Sequence, residues 1–126
     1  MAEKITTSKA PQPVGAYNQA VKAHGWVYVS GQIALSPEGD FIEGDFSAQA
    51  TQVFNNIASI LDASGSTLDD IVKLTVFLKD MTYAPLLNKV MASFFEAKLP
   101  ARSVVACAGL PMEALLEIDA VACVLP

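Results

Sequence analysis

Apolar residues recur at helical spacing between residues 45 and 63, and this pattern predicts an amphipathic helix. Asp45 or Ser47 can cap its first turn, and Gly65 is typical of the position just beyond a helix end. The apolar stripe consists of Ala50, Val53, Phe54, Ile57, Ile60 and Leu61. Such a stripe needs a sheet to pack against.

A second helix is predicted to begin at Asp80 or Thr82 and to end before Leu99 and Pro100. Pro85 suits its first turn, where a backbone donor has no partner within the helix. The apolar side of this helix consists of Leu87, Val90, Met91, Phe94 and Phe95.

Four segments have the composition of strands: residues 5–7, as a short edge strand, and residues 19–22, 26–33 and 71–79. The last is the clearest, because its apolar side chains alternate with the others. Its buried face is expected to consist of Val72, Leu74, Val76 and Leu78. In segment 26–33, alternation puts Trp26, Tyr28, Ser30 and Gln32 on one face and Val27, Val29, Gly31 and Ile33 on the other.

The C-terminal third of the chain predicts a β-hairpin whose arms are joined by a turn at residues 110–114. Antiparallel pairing around that turn would place Glu117 opposite about Cys107, with Arg102 roughly 17 Å farther along the strands. One small ligand could not bridge that gap. Both charged side chains could therefore serve one site only if a second subunit brought its own copy.

The order of strands and helices predicts a single α+β domain over residues 1–126, a mixed sheet with both helices on one face. The opposite face would carry Tyr28, Ser30, Thr75, Phe77, Glu117, Asp119, Val121 and Cys123. This face is too apolar for open water, so we expect other subunits to cover it.

Composition narrows the class of protein. Of the 126 residues 52% are hydrophobic, more than a lone small domain usually needs, and the net charge of -5 opposes binding to nucleic acid. Cys107 and Cys123 lie in apolar segments and are expected to be reduced, buried thiols. No segment has the length and hydropathy of a membrane span or signal core, so we expect no membrane partner and a cytoplasmic location.

Two charged residues among apolar neighbours are candidates for chemistry. Arg102 opens a strand, where its guanidinium could bind a carboxylate through two hydrogen bonds or could simply be solvated. Glu117 stands in the middle of an apolar strand, where a partly desolvated carboxylate can act as a general base. A salt bridge to Lys73 or Lys79, or exposure beside Asp119, would explain Glu117 equally well.

Other residues are weaker candidates for a binding site. Ser30 and Gly31 can let a ligand approach the backbone closely, although such pairs more often mark a bulge. Tyr17 can contact a ligand or cover the edge of the core. Asn88 can contact a ligand or face solvent. His24 is the single histidine, which excludes a Ser-His-Asp or Cys-His arrangement and a histidine-based metal cluster within one chain.

Five motifs together resemble the reactive intermediate deaminase family, also called the YjgF or L-PSP endoribonuclease family. They are GAYNQA at 15–20, VSGQ at 29–32, DIVKLTVFLKD at 70–80, PARS at 100–103 and EIDAVA at 117–122. The resemblance spans nearly the whole chain in order. It implies a chorismate-mutase-like fold and a homotrimer with clefts between subunits.

The resemblance also implies an activity without any cofactor or metal: hydrolysis of 2-imino acids such as 2-iminopropanoate and 2-iminobutanoate to 2-keto acids and ammonia. Arg102 is similar to the family's carboxylate-binding arginine, and Glu117 to its water-activating glutamate. The substrate-binding residues that the resemblance implies are Tyr17, Ser30, Gly31, Asn88 and Arg102. Ala16 and Val104 depart from the family's common proline and cysteine, and neither position supplies the charge or the base.

Two other functions stay open at the level of sequence. The family's older name implies an endoribonuclease or translation inhibitor, which the acidic composition opposes. A regulatory protein that binds small carboxylates without turnover would need only the arginine.

Overall fold

The computed structural model of the protein describes residues 2–96 and 98–124. The single domain predicted for residues 1–126 includes Met1, Ala97, Leu125 and Pro126, which lie outside the described residues. The strands are β1 Glu3–Ile5, β2 Ala20–Ala23, β3 Trp26–Gln32, β4 Ile71–Leu78, β5 Ala101–Ala106 and β6 Leu116–Cys123. The helices are α1 Phe46–Ala63 and α2 Ala84–Phe94.

Helix α1 confirms the predicted cap and stripe. The Asp45 carboxylate accepts a hydrogen bond from the Ala48 N–H at 2.9 Å, which satisfies a donor in the first turn. The chain leaves the helix through Ser64 and through Gly65, whose φ of 81° is the left-handed conformation that glycine adopts without strain. Every member of the predicted apolar stripe is fully buried.

Helix α2 begins at Ala84, later than predicted, because a 3₁₀ turn at Met81–Tyr83 precedes it. Asp80 caps that turn by accepting from the Thr82 N–H at 2.8 Å, and Pro85 lies in the first turn of the helix itself. The buried residues of the helix are Leu87, Val90 and Met91. Both helices pack on the same face of the sheet, as predicted.

The predicted C-terminal hairpin is wrong. The strand order is β1-β2-β3-β6-β4-β5, so β5 and β6 are not neighbours. Strand β5 runs parallel to β4, since α2 connects them as a strand-helix-strand crossover. Strand β6 instead lies between β3 and β4 and is antiparallel to both. Its alternating buried side chains suit that central position better than a hairpin at the sheet edge.

Two β-bulges change the predicted side-chain alternation. In β3, Val29 pairs with Ala120 and Gln32 with Ile118, so one extra residue lies between these pairs. Gln32 is therefore buried with Val27 and Val29, and the prediction that it shares a face with Tyr28 is wrong. In β4 a similar irregularity lies near residue 72. Val72, which was predicted to be buried, is 41% exposed, and Ile71 is buried instead.

Strand β1 also begins earlier than predicted. Ile5 pairs with Ala20, whereas the Thr7 N–H is already bound by the Gln19 side chain at 2.7 Å. A backbone group bonded to a side chain cannot continue a ladder, which explains why the strand ends at Ile5.

The sheet face opposite the helices carries the side chains predicted for it. Tyr28 is 52% exposed and Val105 is 47% exposed on this face of the chain. The polar members Glu117 and Asp119 lie among them, each half-buried. Within the described residues, no helix is long and apolar enough to cross a membrane.

Candidate functional site

Glu117 lies on β6, opposite Phe77 of β4, with its side chain on the sheet face away from the helices. Burial raises the pKa of its carboxyl above the usual glutamate value, and repulsion by Asp119 raises it further. Lys73, one of the salt-bridge partners that the sequence left open for Glu117, instead acts on Asp119, where its charge opposes the rise in pKa caused by burial. Glu117 is thus a carboxylate that its surroundings make a better base.

The bulge in β3 makes room for that carboxylate. Ser30 and Gly31 are the bulged residues, which confirms that this pair marks a bulge, one of the two interpretations of the sequence. A methyl group on Gly31 would overlap Oε2 of Glu117 and would lie 3.0 Å from its Cδ. Only glycine leaves the carboxylate in its place, so Gly31 is part of the same local arrangement.

A small cavity of about 80 Å³ lies beside Glu117, which forms part of its lining. Tyr17 and Gly31 line it, together with Pro111 and the loop of residues 11–14. The structure therefore brings together three of the residues predicted for the site. The volume suits one or two water molecules beside the carboxylate.

Tyr17 is held over the mouth of this cavity by its own loop. Its hydroxyl oxygen accepts a hydrogen bond from the Val14 N–H at 3.3 Å, and its ring lies against Gly15. The phenol remains 46% exposed, so its proton is free to be donated to a ligand.

Ser30 is adjacent to the cavity but already has a partner. Its hydroxyl donates to the Asn18 carbonyl oxygen at 2.6 Å, which fixes the loop before β2 to the bulge. A ligand could reach only the lone pairs of this oxygen.

The sequence did not indicate Gln19 as part of the site, yet Gln19 determines the shape of the cavity wall. Its buried amide forms four hydrogen bonds, accepting from the Thr7 N–H and donating to the carbonyls of Thr7, Ala10 and Pro11. These bonds fasten the proline-rich loop beside Glu117. Two signals for it were present in the sequence, a polar residue at the start of an apolar strand and its place in the family motif at residues 15–20.

Arg102 lies on the other side of the sheet. It pairs with the buried Leu74 of β4 and therefore points to the helix side at the edge of the sheet. Its Nη1 donates to Oδ1 of Asn88 at 2.9 Å and lies 3.2 Å from the sulfur of Met91, both on α2. The side chain is exposed, and these contacts leave several of its five N–H donors for a ligand.

A second and larger cavity, of about 380 Å³, lies beside Arg102. Asn88 and Arg102 line one part of it. The rest is lined by residues near the C-terminal end of α2 and by the segment between α2 and β5, namely Met91, Ala92, Phe95, Glu96, Leu99 and Pro100. Asn88, which the family resemblance implies as a substrate-binding residue, thus contacts the guanidinium directly and orients it.

The predicted register between Arg102 and Glu117 is wrong, because it depended on the hairpin. Arg102 pairs with Leu74 and Glu117 with Phe77, so the two are three residues apart along β4 and two strands apart across the sheet. Their backbones are roughly 14 Å apart. More importantly, their side chains emerge on opposite faces. Within one chain they cannot contact the same small molecule.

Among residues 2–96 and 98–124, no group of three or more His, Cys, Asp or Glu side chains could hold a metal ion. Cys107 and Cys123 are free thiols, each half-buried, whereas the sequence predicted full burial. The chemistry that the described side chains offer is that of an acid-base carboxylate and a carboxylate-binding guanidinium.

Comparison with known proteins places these features in context. A family model described as Endoribonuclease L-PSP matches residues 7–124. The 2-iminobutanoate/2-iminopropanoate deaminase of Dermatophagoides farinae is 39% identical over 118 residues, which is 93% of this chain and 92% of that protein.

Solved structures show the same fold. RidA from an Antarctic Psychrobacter species is similar with a TM-score of 0.93 and 43% identity, over 96% of this chain and 98% of that one. TdcF from E. coli, solved with bound serine, is similar with a TM-score of 0.91 and 37% identity, over 96% and 98% of the two chains.

Proposed function

Since the chain belongs to the L-PSP endoribonuclease family, also called the reactive intermediate deaminase family, we propose that it hydrolyses small 2-imino acids to 2-keto acids and ammonia. The substrates are 2-iminopropanoate and 2-iminobutanoate. The observation that carries the proposal is the half-buried Glu117 carboxylate, whose pKa is raised beside a cavity large enough for water. A carboxylate of this kind can take a proton from water near neutral pH.

In the proposed mechanism, Arg102 binds the substrate carboxylate through two parallel hydrogen bonds, and Asn88 holds the guanidinium in position. Glu117 takes a proton from water as the water oxygen attacks the carbon of the protonated imine, whose C=N electron pair moves to nitrogen and gives a neutral carbinolamine. Glu117 then returns its proton to the nitrogen. The C–N bond breaks, its electron pair leaves with ammonia, and Glu117 takes the hydroxyl proton as the C=O bond of the 2-keto acid forms. No cofactor takes part in any of these steps.

We propose that each active site is completed by two subunits. Arg102 and Glu117 face opposite sides of one sheet, so the pair can meet only if Arg102 of one chain approaches Glu117 of another. A homotrimer with clefts between its subunits, in the chorismate-mutase-like arrangement, provides this through one repeated contact around a closed ring. It would also cover the exposed side chains of Trp26, Tyr28 and Val105.

Two relatives support the proposal. The protein of D. farinae is named for hydrolysis of the same imino acids, and the TdcF structure contains serine, a small molecule with the carboxylate that Arg102 would bind. The cytoplasmic location expected from the sequence stays a prediction, as does the absence of a nucleic-acid partner.

The test couples a threonine dehydratase, which releases the four-carbon imine, to this protein and follows the rate at which 2-ketobutanoate appears. The wild-type protein should accelerate that rate above spontaneous hydrolysis, and Arg102→Ala should abolish the acceleration. Lys89→Ala is the matched control, because Lys89 is an exposed cation one residue from Asn88. No acceleration with either imine, although ligand carboxylates still bind, would favour the regulatory alternative.

Endoribonuclease activity is the second candidate, because the matching family model carries that description. If cleavage of RNA used this site, Arg102→Ala would remove it at unchanged purity. We expect instead that any cleavage survives this substitution and declines on further purification.

A further inference from the structure

We propose that Asp119 is a positioning residue of the same site: its carboxylate, fixed beside Glu117 on β6, strengthens Glu117 as the base that takes a proton from water. This inference rests on the proposed function, in which Glu117 activates the water. Asp119 itself has no contact with the substrate in that mechanism. It acts on the reaction only through Glu117.

The position of Asp119 on β6 is the first reason. It follows Glu117 by two residues, so both side chains lie on the sheet face away from the helices, and both are half-buried. Two steps along a strand separate their backbones by about 7 Å. Charges at this distance lie within the screening length of physiological salt, so each carboxylate acts on the other.

The second reason is that β4 presents different side chains to the two carboxylates. Thr75 lies opposite Asp119, and the ring of Phe77 lies opposite Glu117. Burial raises the pKa of Asp119, but hydrogen bonding with the Thr75 side chain and the charge of Lys73 oppose that rise. Burial also raises the pKa of Glu117, and the charge of Asp119 raises it further. Asp119 therefore ionises first, and its negative charge is present when Glu117 titrates.

Other ionisable groups nearby do not replace Asp119 in this role. Those that share this sheet face, or lie on segments next to it, are Tyr17, Tyr28, Lys73, Lys79, Glu113 and Cys123. Phenols and thiols are ordinarily neutral at the acidic pH where carboxylates titrate. Lys79 and Glu113 are exposed, so water screens their charges. Lys73 is a cation, which makes a carboxylate less basic, so the negative charge that favours a basic Glu117 comes from Asp119.

The test follows Glu117 directly, by carbon NMR of the intact protein labelled at its glutamate carboxyl groups, over a series of pH values. The signal of Glu117 is the one that Glu117→Gln removes. Asp119→Asn keeps the size of the side chain and removes its charge, so the titration midpoint of Glu117 should fall by about 0.5 to 1 pH unit. Asp62→Asn removes the same charge from an exposed position on α1 and is the matched control, with an expected shift of less than about 0.2 unit.

The acid limb of the kcat/KM profile for 2-iminobutanoate should move by the same amount in Asp119→Asn. The plateau above that limb should fall about two- to threefold, because Glu117 is then a weaker base. Lys73→Met should move the midpoint of Glu117 upward, since it removes a cation near the pair. A purely structural role for Asp119 would lower kcat/KM without moving the midpoint or the limb.

An unchanged midpoint in Asp119→Asn, or shifts in the same direction in Asp119→Asn and Lys73→Met, would overturn the inference. A shifted midpoint with an unmoved acid limb would also overturn it, because the charge would then act on Glu117 but not on the reaction. Failure of the wild-type protein to hydrolyse the imine would instead contradict the proposed function. The NMR titration distinguishes the two cases, because it needs no turnover.

Discussion

Gly31→Ala should separate activity from stability, because the added methyl group meets only the end of a flexible side chain. It would lie 3.0 Å from Cδ and 3.2 Å from Cγ of Glu117, and it would overlap Oε2. Carbon atoms in ordinary contact are about 3.5 to 4.0 Å apart, so the carboxyl group has to retreat by about 0.5 to 1 Å. Gly31 does not have a positive φ, so alanine introduces no backbone strain there.

A displacement of about 1 Å in a catalytic group can lower the rate about 100-fold, which corresponds to about 2.7 kcal/mol of transition-state stabilisation. We therefore expect kcat/KM for 2-iminobutanoate to fall by about that factor. The free energy of unfolding should change by less than about 1 kcal/mol, because the side chain can move without a cavity forming. Coupled keto acid formation and urea denaturation measure the two quantities.

Gly109→Ala is the matched control, because no atom lies within 4 Å of the methyl group it would add. It should leave kcat/KM unchanged. In a Glu117→Gln background, Gly31→Ala should cause no further loss, since the group it displaces is already inactive. Wild-type activity in Gly31→Ala, or a full additional loss in the Gln background, would refute the role given to the Gly31–Glu117 contact.

Three further predictions follow from the same residues. Because burial and Asp119 raise the pKa of Glu117, the acid limb of the kcat/KM profile should titrate above the ordinary glutamate value of about 4.3; a limb at or below that value would exclude Glu117 as the base. Because the pKa of Glu117 is raised by folding, its ionised form destabilises the folded protein once the pH rises above the ordinary glutamate value. Glu117→Gln should therefore increase the free energy of unfolding at pH 7. The gain should disappear near pH 3, where the carboxyl is protonated in both the folded and the unfolded state. Equal gains at the two pH values would contradict this. Gln19→Leu removes four hydrogen bonds and should lower the free energy of unfolding by about 2 to 4 kcal/mol in urea titrations, and it should also lower kcat/KM. Gln12→Leu, whose single bond to Thr7 is exposed, should change the free energy of unfolding little. Similar effects of both leucine substitutions would remove the special role of Gln19.

Much of the fold could be predicted because local chemistry determines it. The cap at Asp45 and the stripe of α1 depend on neighbours within a few residues, and both are found in the structure. The same is true of Pro85 at the start of α2. Helical periodicity and capping need no knowledge of distant parts of the chain.

Strand pairing could not be predicted in this way. The turn at residues 110–114 resembles a hairpin turn, and nothing local indicates that β6 inserts between β3 and β4 while β5 stays at the edge. The partner of a strand is chosen by burial across the whole sheet. The predicted register was wrong because it assumed that β5 pairs with β6. The same assumption concealed that Arg102 and Glu117 face opposite sides of the sheet.

The candidate site shows the same division. The type of residue indicated Arg102 and Glu117, and the family resemblance strengthened the weaker candidates Tyr17, Ser30, Gly31 and Asn88. Gln19 was missed, because its importance comes from carbonyl groups of residues 7–11 that only the folded chain brings to it. The cavity beside Arg102 was missed for the same reason, since residues of α2 and of the segment before β5 form it jointly.

The central claim is that each active site takes Arg102 from one chain and Glu117 from another. The most direct measurement mixes Arg102→Ala subunits with Glu117→Ala subunits in equal amounts, after dissociation and reassembly, and compares imine hydrolysis with that of either variant alone. In any closed ring of identical contacts, about a quarter of the clefts would then pair an intact arginine with an intact glutamate. We predict that about a quarter of wild-type activity returns, with the exchange of subunits verified by mass spectrometry. Activity that stays at the level of the single variants after verified exchange would contradict the claim.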